Sequence, residues 1–396
     1  SSSKYKALVN AVSPDGRLRN TLQFAGALRT CRWAGRVFQP QNMKRPDMEQ
    51  EAIDLVIAAV KEECLDLTEV EPMRALANAV RGCIIAPEGK KLCIADLSNI
   101  EGRKLAWLAG EEWKLKAFAA YDAGTGEDLY KLAYARSFNV DPATVTKTQR
   151  QIGKVMELGL GYEGGVAAFL TFAAVYRMDL AELADAVHST APKDALAAAY
   201  GMWEWATKKR RTLGLEQNVY VACEVLKAAW RAAHPATGAL WREVGDAVVK
   251  AIVNPGQCFV VRDLKIQRDG AWLRIRLPSG RYLCYINPKV EEGQITYSGV
   301  NQYTRQWARI KTYGGKLVEN VVQAWARDVL AANMRWIDSC NYNIVLTVHD
   351  ELITETPDTE VYNSADLARM MSNPPEWAAG CPLAAAGFET YRYRKD

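Results

Sequence analysis

Histidine is nearly absent. His188, His234 and His349 are the three in 396 residues, which argues against a histidine-built metal cluster. Nine cysteines are scattered from Cys31 to Cys381 without one C-x-x-C pair. Neither a zinc site nor a disulfide framework is indicated, and a reducing, cytoplasmic compartment is expected. No apolar run reaches the ~18 residues of a membrane span, so no membrane partner is expected. The opening "SSSKYKALVN" has no apolar signal-peptide core. It also lacks an initiating Met, which fits a processed chain or a piece of a longer one. Net charge is weak at +4, which neither demands nor excludes a nucleic-acid partner. The densest basic cluster, "KKRR" at Lys208–Arg211, lies on a helical stretch and reads as a solvated face. There is no internal repeat and no low-complexity linker.

What is present is an ordinary globular composition, 49% hydrophobic and 24% charged, long enough for two or three domains or subdomains. Residues 1–46 read as irregular with short strands. Apolar residues at helical spacing predict a helix from Met48 to Glu63, and Pro72 opens another to about Val80. "KKLCIADLS" is a short buried strand, followed by a helix through Leu105 and Leu108. Residues 113 to about 252 are Ala-rich and helical in pattern. From Gln257 the pattern alternates around Gly-containing turns, as antiparallel strands do. A helix from about Gly315 to Trp336, a hairpin around Val345 and a helical, irregular tail complete the chain. The fold class expected is α+β, with a helical insertion interrupting one mixed unit.

Asp96 ends the strand "LCIAD" much as Asp350 follows the strand "NIVLTVH". Each alone is an ordinary strand-end cap. Together, two carboxylates on rigid strand ends suit a two-metal phosphoryl-transfer site, with ions about 3.5–4 Å apart. In "RQIGKVMELGLGYEGG", Arg150, Lys154, Leu158 and Tyr162 lie four apart and would share one helix face. Two cations one turn apart can hold a polyphosphate, and an aromatic beyond them offers a surface for a base. The bland alternative is an amphipathic helix with a Gly-rich end.

In chain order, these blocks resemble motifs A, B and C of the family A DNA polymerases, the polymerase I type. "ADLSNIEGRKLAWLAG" resembles motif A, D-Y-S-x-I-E-x-R, and "RQIGKVMELGLGYEGG" resembles motif B, R-x-x-x-K-x-x-x-F-G-x-x-Y-G. "VHDE" is motif C unchanged. "TCRWAGRVFQPQN" resembles the T-G-R-L-S-S-x-x-P-N-L-Q-N block, and "NVVQAWARDVL" the helix that carries the family's Gln, here Gln323. The wording "RWAGR", "LPSGR" and "TYGGKLVENVVQAWARD" looks most like the phage branch.

The resemblance implies a right-hand polymerase with an antiparallel palm sheet and inserted helical fingers. The palm would be residues 1–112 and 256–396 and the fingers 113–255, with neither thumb nor exonuclease seen. It implies that Asp96, Asp350 and the Leu97 carbonyl hold two Mg²⁺ ions, with Glu351 in support. Arg150 and Lys154 would grip the dNTP phosphates, Lys154 also serving as an acid for the leaving group. Leu158 and Tyr162 would adjoin the nucleotide, and Glu101 would exclude a ribose 2′-hydroxyl. Arg32, Gln41, Asn42, Gln323 and His349 would meet primer–template DNA. A monomer with possible replisome partners, in host cytoplasm if phage-encoded, is the expected setting.

Departures from the family pattern are Leu158 for an aromatic, Glu163 and Cys31 for Gly, Leu97 for an aromatic and Glu319 for Asn. Three rivals stand beside this reading. A single-subunit RNA polymerase would not carry a bulky Glu101. A non-catalytic polymerase-like DNA-binding subunit could lose the carboxylates and cations that are all present here. A two-metal nuclease has no use for motif B.

Overall fold

The computed structural model describes residues 2–395. In chain order the first elements are α1 (Ser2–Ala11), β1 (Leu22–Gln23), β2 (Ala34–Gly35), α2 (Gln50–Lys61), α3 (Pro72–Ala79) and β3 (Lys90–Leu97). Nine helices follow: α4 (Ile100–Ala109), α5 (Glu112–Asp122), α6 (Leu129–Phe138), α7 (Lys147–Leu160), α8 (Val166–Val175), α9 (Leu180–Thr190), α10 (Lys193–Lys208), α11 (Gln217–Ala233) and α12 (Pro235–Val253). Then come β4 (Cys258–Val261), β5 (Leu264–Asp269), β6 (Trp272–Arg276), β7 (Tyr282–Glu291), β8 (Gln294–Val300) and β9 (Trp307–Thr312). The last are α13 (Gly314–Ser339), β10 (Asn343–Val348), β11 (Glu351–Pro357), α14 (Ser364–Met371) and β12 (Ala385–Thr390).

The chain divides into two compact units. The first comprises Ser1–Ile100, Ala326–Ala379 and Leu383–Asp396, and the second Glu101–Trp325 with Gly380–Pro382.

The first unit is built on a four-stranded antiparallel sheet in the order β10-β11-β3-β12. Strand β3 is interior, bonded to β11 on one side and β12 on the other, and α14 packs on β3 and β12. Burial on both faces explains why "KLCIA" reads as a continuous apolar run rather than an alternation. Leu92, Ile94, Leu346, Val348, Ile353 and Tyr393 form the core beneath it.

In the second unit, α4–α12 precede a six-stranded meander in the simple order β4-β5-β6-β7-β8-β9. Strands β5 to β7 alternate: Leu264, Ile266, Leu273, Ile275, Leu283 and Tyr285 are buried on one face, which packs on α12. Helix α7 starts at a capping box, with Thr146 Oγ accepting from Gln149 N and the Gln149 side chain returning to Thr146 N. Gly153 lets α7 approach the Tyr130 carbonyl of α6, where a Cβ would collide.

Three local expectations are corrected. Residues 2–11 are helical rather than irregular, and the Tyr5 hydroxyl anchors that helix by donating to Leu76 O at 2.9 Å. The tail contains a strand, β12, which lacks the β-branched signature because Gly387 must fit against the Ile94 carbonyl of β3. Tyr162 lies past the end of α7, since Gly161 closes the helix and Glu163 takes φ +64°.

Candidate active site

The carboxylates of the first unit converge because β3 and β11 pair antiparallel with Asp96 directly opposite Glu351. Val348 pairs with Glu351, so His349 and Asp350 form a two-residue turn. His349 supplies the left-handed residue, at φ +59°, that such a tight turn requires. The Asp350 carbonyl accepts from Leu97 N at 3.2 Å, which latches the turn to the end of β3. Asp96, Leu97, Asp350 and Glu351 therefore line one cleft of 270 Å³, with Ser98 and Lys395 at its wall.

Two carboxylates face to face repel, and the surroundings show how they are held. Lys395 Nζ donates to Asp96 Oδ2 at 3.1 Å and lies 3.4 Å from Glu351 Oε2. The Tyr393 hydroxyl donates to Glu351 Oε2 at 2.9 Å. Burial of Glu351, at 1% exposure, still outweighs these contacts and raises its pKa above the ordinary carboxylate value. For Lys395, burial opposes the charge, but Glu351 and then Asp96 overcome it and raise its pKa. Sequence reasoning missed Lys395 and Tyr393; both follow β12, a strand without a clear sequence signal.

Among the described residues no group of three or more His, Cys, Asp or Glu is arranged to hold a metal ion. The cleft nevertheless fits a hard divalent cation. Asp96 Oδ1 is buried without a hydrogen-bond partner, a lysine ammonium already sits on its other oxygen, and the donors are all oxygen.

Four residues expected to meet DNA, Arg32, Gln41, Asn42 and His349, also fall in this unit. Gln41 Nε2 donates to Thr347 O at 2.7 Å, and His349 Nε2 lies 3.2 Å from Gln41 O, so the Arg32–Asn42 block is tied to the hairpin. The His349 ring keeps an open edge. Its partial burial and then the charge of Arg32 hold its pKa below the ordinary value, against the Gln41 contact. Arg32 is half-buried, and exposed Asn42 donates to Gln39 Oε1 at 2.9 Å. Cys31, standing where the family block has Gly, takes φ +58°; Glu163, the other replacement of Gly, is also left-handed. Both substitutions keep the backbone shape that Gly would adopt.

The second group of expected residues lies in the other unit. Arg150 Nη2 donates to Asp128 Oδ2 at 2.7 Å, and Asp128 also caps α6 by accepting from Tyr130 N and Lys131 N. Arg150 and Lys154 both lie over the Tyr130 ring, at 5.4 and 5.7 Å, and Lys154 is 4.4 Å from the Tyr176 centroid. Tyr130, Tyr176 and Asp128 are thus neighbours of the two cations that spacing alone did not reveal. Leu158 is half-buried one turn further along α7.

Glu157, on the same face of α7 as Arg150 and three residues past Lys154, explains how the helix is held. Glu157 forms an ion pair with Lys114 of α5, accepts from Trp230 Nε1 at 2.9 Å and lies 3.1 Å from His234 Nε2. Burial of Glu157 favours the neutral acid, but Lys114 and then His234 overcome it and push its pKa far down. Glu163 Oε2 accepts from Gly315 N at 2.9 Å, capping the start of α13. Gln323, two turns later, donates to Glu319 Oε1 at 3.4 Å. Glu101 sits half-buried in the first turn of α4, and Lys208–Arg211 are exposed at the end of α10.

Residues 65–189, which hold the motif A and motif B blocks, match the family model described as DNA polymerase family A. Over 99% of its length the chain is 36% identical to the DNA polymerase of Bacillus phage SP02, covering 55% of that protein. It is 34% identical over 90 residues to DNA polymerase I of Chloroflexus aurantiacus, which is 23% of this chain and 9% of that one. The chain thus spans about half the length of the phage relative and a small part of the bacterial one. The fold is that of a polymerase POL domain. It matches Pol1 from M. smegmatis, solved in complex with DNA primer-template and dNTP, at a TM-score of 0.56 and 18% identity, covering 98% of this chain and 50% of that one. Family A polymerases are generally metal-dependent. No described helix is long and apolar enough to cross a membrane.

Proposed function

We propose that this chain is the polymerase part of a template-directed DNA polymerase that extends a primer 3′-hydroxyl with dNTPs during phage DNA replication in the host cytoplasm. The observation that carries the reading is the cleft in which Asp96, Glu351 and Asp350 meet at the ends of paired strands. Motif order and similarity to a phage polymerase over 99% of the chain support it. In this reading residues 1–112 and 256–396 serve as palm and 113–255 as fingers.

Asp96, Asp350 and the Leu97 carbonyl would hold two Mg²⁺ ions, which when bound supply a more acidic primer hydroxyl and charge neutralisation at the departing pyrophosphate. The chain's own groups do the rest. Glu351 supports the site from across the strand pair, sharing the Lys395 ammonium with Asp96. Arg150 exchanges its Asp128 partner for a phosphate oxygen, to which a guanidinium fork is well matched. Lys154 offers a proton to the leaving group, and Leu158 and Tyr162 bound the nucleotide. Glu101 excludes a 2′-hydroxyl by occupying its place, which favours dNTPs over ribonucleotides. Arg32, Gln41, Asn42, His349 and Gln323 meet primer–template DNA, and the chain works as a monomer open to replisome partners.

The test is extension of a labelled primer on a DNA template with Mg²⁺ and dNTPs. Extension is expected, and Asp350→Asn should lower it by about 10³-fold or more while DNA binding persists. Binding of primer–template by the unaltered chain without extension would overturn the function. Activity surviving in Asp350→Asn would overturn that residue's role.

A further inference from the structure

The six-stranded sheet of the second unit has a buried face that is accounted for and an outer face that is not. Cross-strand register places Val260, Lys265, Arg276 and Tyr282 in one row across four strands. The next row holds Gln267 and Arg274, and the third holds Asp269, Trp272, Ser298 and Arg309. Within these rows Lys265, Arg274, Arg276 and Arg309 share the face with Asp269, and past the β7 bulge Lys289, Lys311 and Glu291 join it.

Arg274 is answered by Asp269 at 2.8 Å, and Arg309 by Glu291 at 3.5 Å. Lys265 and Arg276 have no carboxylate opposite; their partners in the ladder are Val260, each other and Tyr282. Like charges directly opposite destabilise a sheet, so folding alone does not favour this pair. Aromatic rings stand among the cations: Tyr282 is 49% exposed, Trp272 38% and Trp307, at the start of edge strand β9, 65%.

We propose that this face binds single-stranded DNA. Cations that follow a phosphate backbone, interleaved with exposed rings on which bases stack, are the two components of sequence-tolerant single-strand recognition. An acidic peptide would satisfy the charges but leave the rings without a role. The inference rests on the nucleic-acid reading above, and the strand it would hold is an unpaired template segment.

The experiment measures fluorescence anisotropy of a labelled oligo-dT of about 20 nucleotides on the full chain over a series of salt concentrations. Lys265→Ala with Arg276→Ala is expected to weaken binding at least about fivefold. It should also flatten the slope of log affinity against log salt by about 1.4, for two single-strand phosphates. Tyr282→Ala should weaken binding about five- to tenfold with the slope unchanged. The melting temperature of the double variant should equal or exceed that of the parent, because a like-charge pair has been removed. Extension on a template with a one-nucleotide overhang should stay at the parent level, so failure of the sheet face and failure of the polymerase reading are read separately. Unchanged affinity and slope would overturn the proposal. So would a loss of affinity matched by a fall in melting temperature. Binding in which poly-glutamate displaces oligo-dT and Tyr282→Ala has no effect would assign the face to an acidic protein instead.

Discussion

Replacing Glu157 by Gln tests how helix α7 is held. The glutamate is 11% exposed, and its partner Lys114 is 5% exposed. The amide keeps the shape and can still accept from Trp230, but it leaves the Lys114 ammonium buried without a counter-charge. Breaking a buried pair by removing one partner costs about 3–5 kcal/mol. The segment Glu101–Trp325 has 225 residues (325 − 101 + 1). At about 2–4 °C per kcal/mol for a domain of that size, its melting temperature should fall by about 6–20 °C. Acid supplies the sign. Lys114 and His234, against burial, hold the folded Glu157 far below its unfolded value. Its stabilisation is therefore fully present above about pH 4.3 and is lost as pH falls toward the folded pKa. Calorimetry at pH 7.5 and again between pH 4 and pH 3 should show the gap between parent and variant narrowing on acidification. Because α7 also carries Arg150 and Lys154, the KM for dNTPs should rise several-fold while kcat changes less. Melting within 2 °C of the parent at pH 7.5, or a gap that does not narrow in acid, would refute the reasoning.

Glu101→Ala should admit ribonucleotides, read as a rise of about tenfold or more in the kcat/KM ratio of rNTP to dNTP in single-nucleotide insertion; an unchanged ratio removes Glu101 from that role. Lys395→Met takes away the ammonium between Asp96 and Glu351, so half-saturation by Mn²⁺, followed by electron paramagnetic resonance without DNA, should fall about fivefold. Weaker Mn²⁺ binding would show instead that the lysine helps to build the site. Gly387→Val should destabilise the first unit by about 1–3 kcal/mol, because its Cβ meets the Ile94 carbonyl; chemical denaturation measures the loss, and a neutral result would mean that β12 yields freely.

The strands leading to Asp96 and to the Asp350 turn were legible because both are short apolar runs that give way to an acidic residue. The helical stretch and the meander were legible because the hydrophobic period changes near Gln257. Helix α1 was not, because its hold is tertiary: one hydroxyl bond from Tyr5 to α3. Strand β12 was not, because its small residues answer to the neighbouring strand and not to any local preference. Asp350 and Glu351 could be placed together from adjacency alone. Which residue balances their charge could not, since Lys395 is 299 positions from Asp96 and reaches it only through sheet topology. Spacing of four predicts Tyr162 on the Arg150 face of α7, but the helix stops at Gly161 and Tyr162 lies beyond it.

Strand β3 is hydrogen-bonded along both edges, and the turn that carries Asp350 is latched to its end. The carboxylates consequently have no hinge of their own. An opening large enough to separate Asp96 from Glu351 must part β3 from β11, the two interior strands of the sheet, along their whole ladder, which approaches the cost of unfolding the unit rather than of a local fluctuation. Amide protons near Asp96 should thus be among the last to exchange with solvent, and heat should extinguish the site and melt the sheet in a single event.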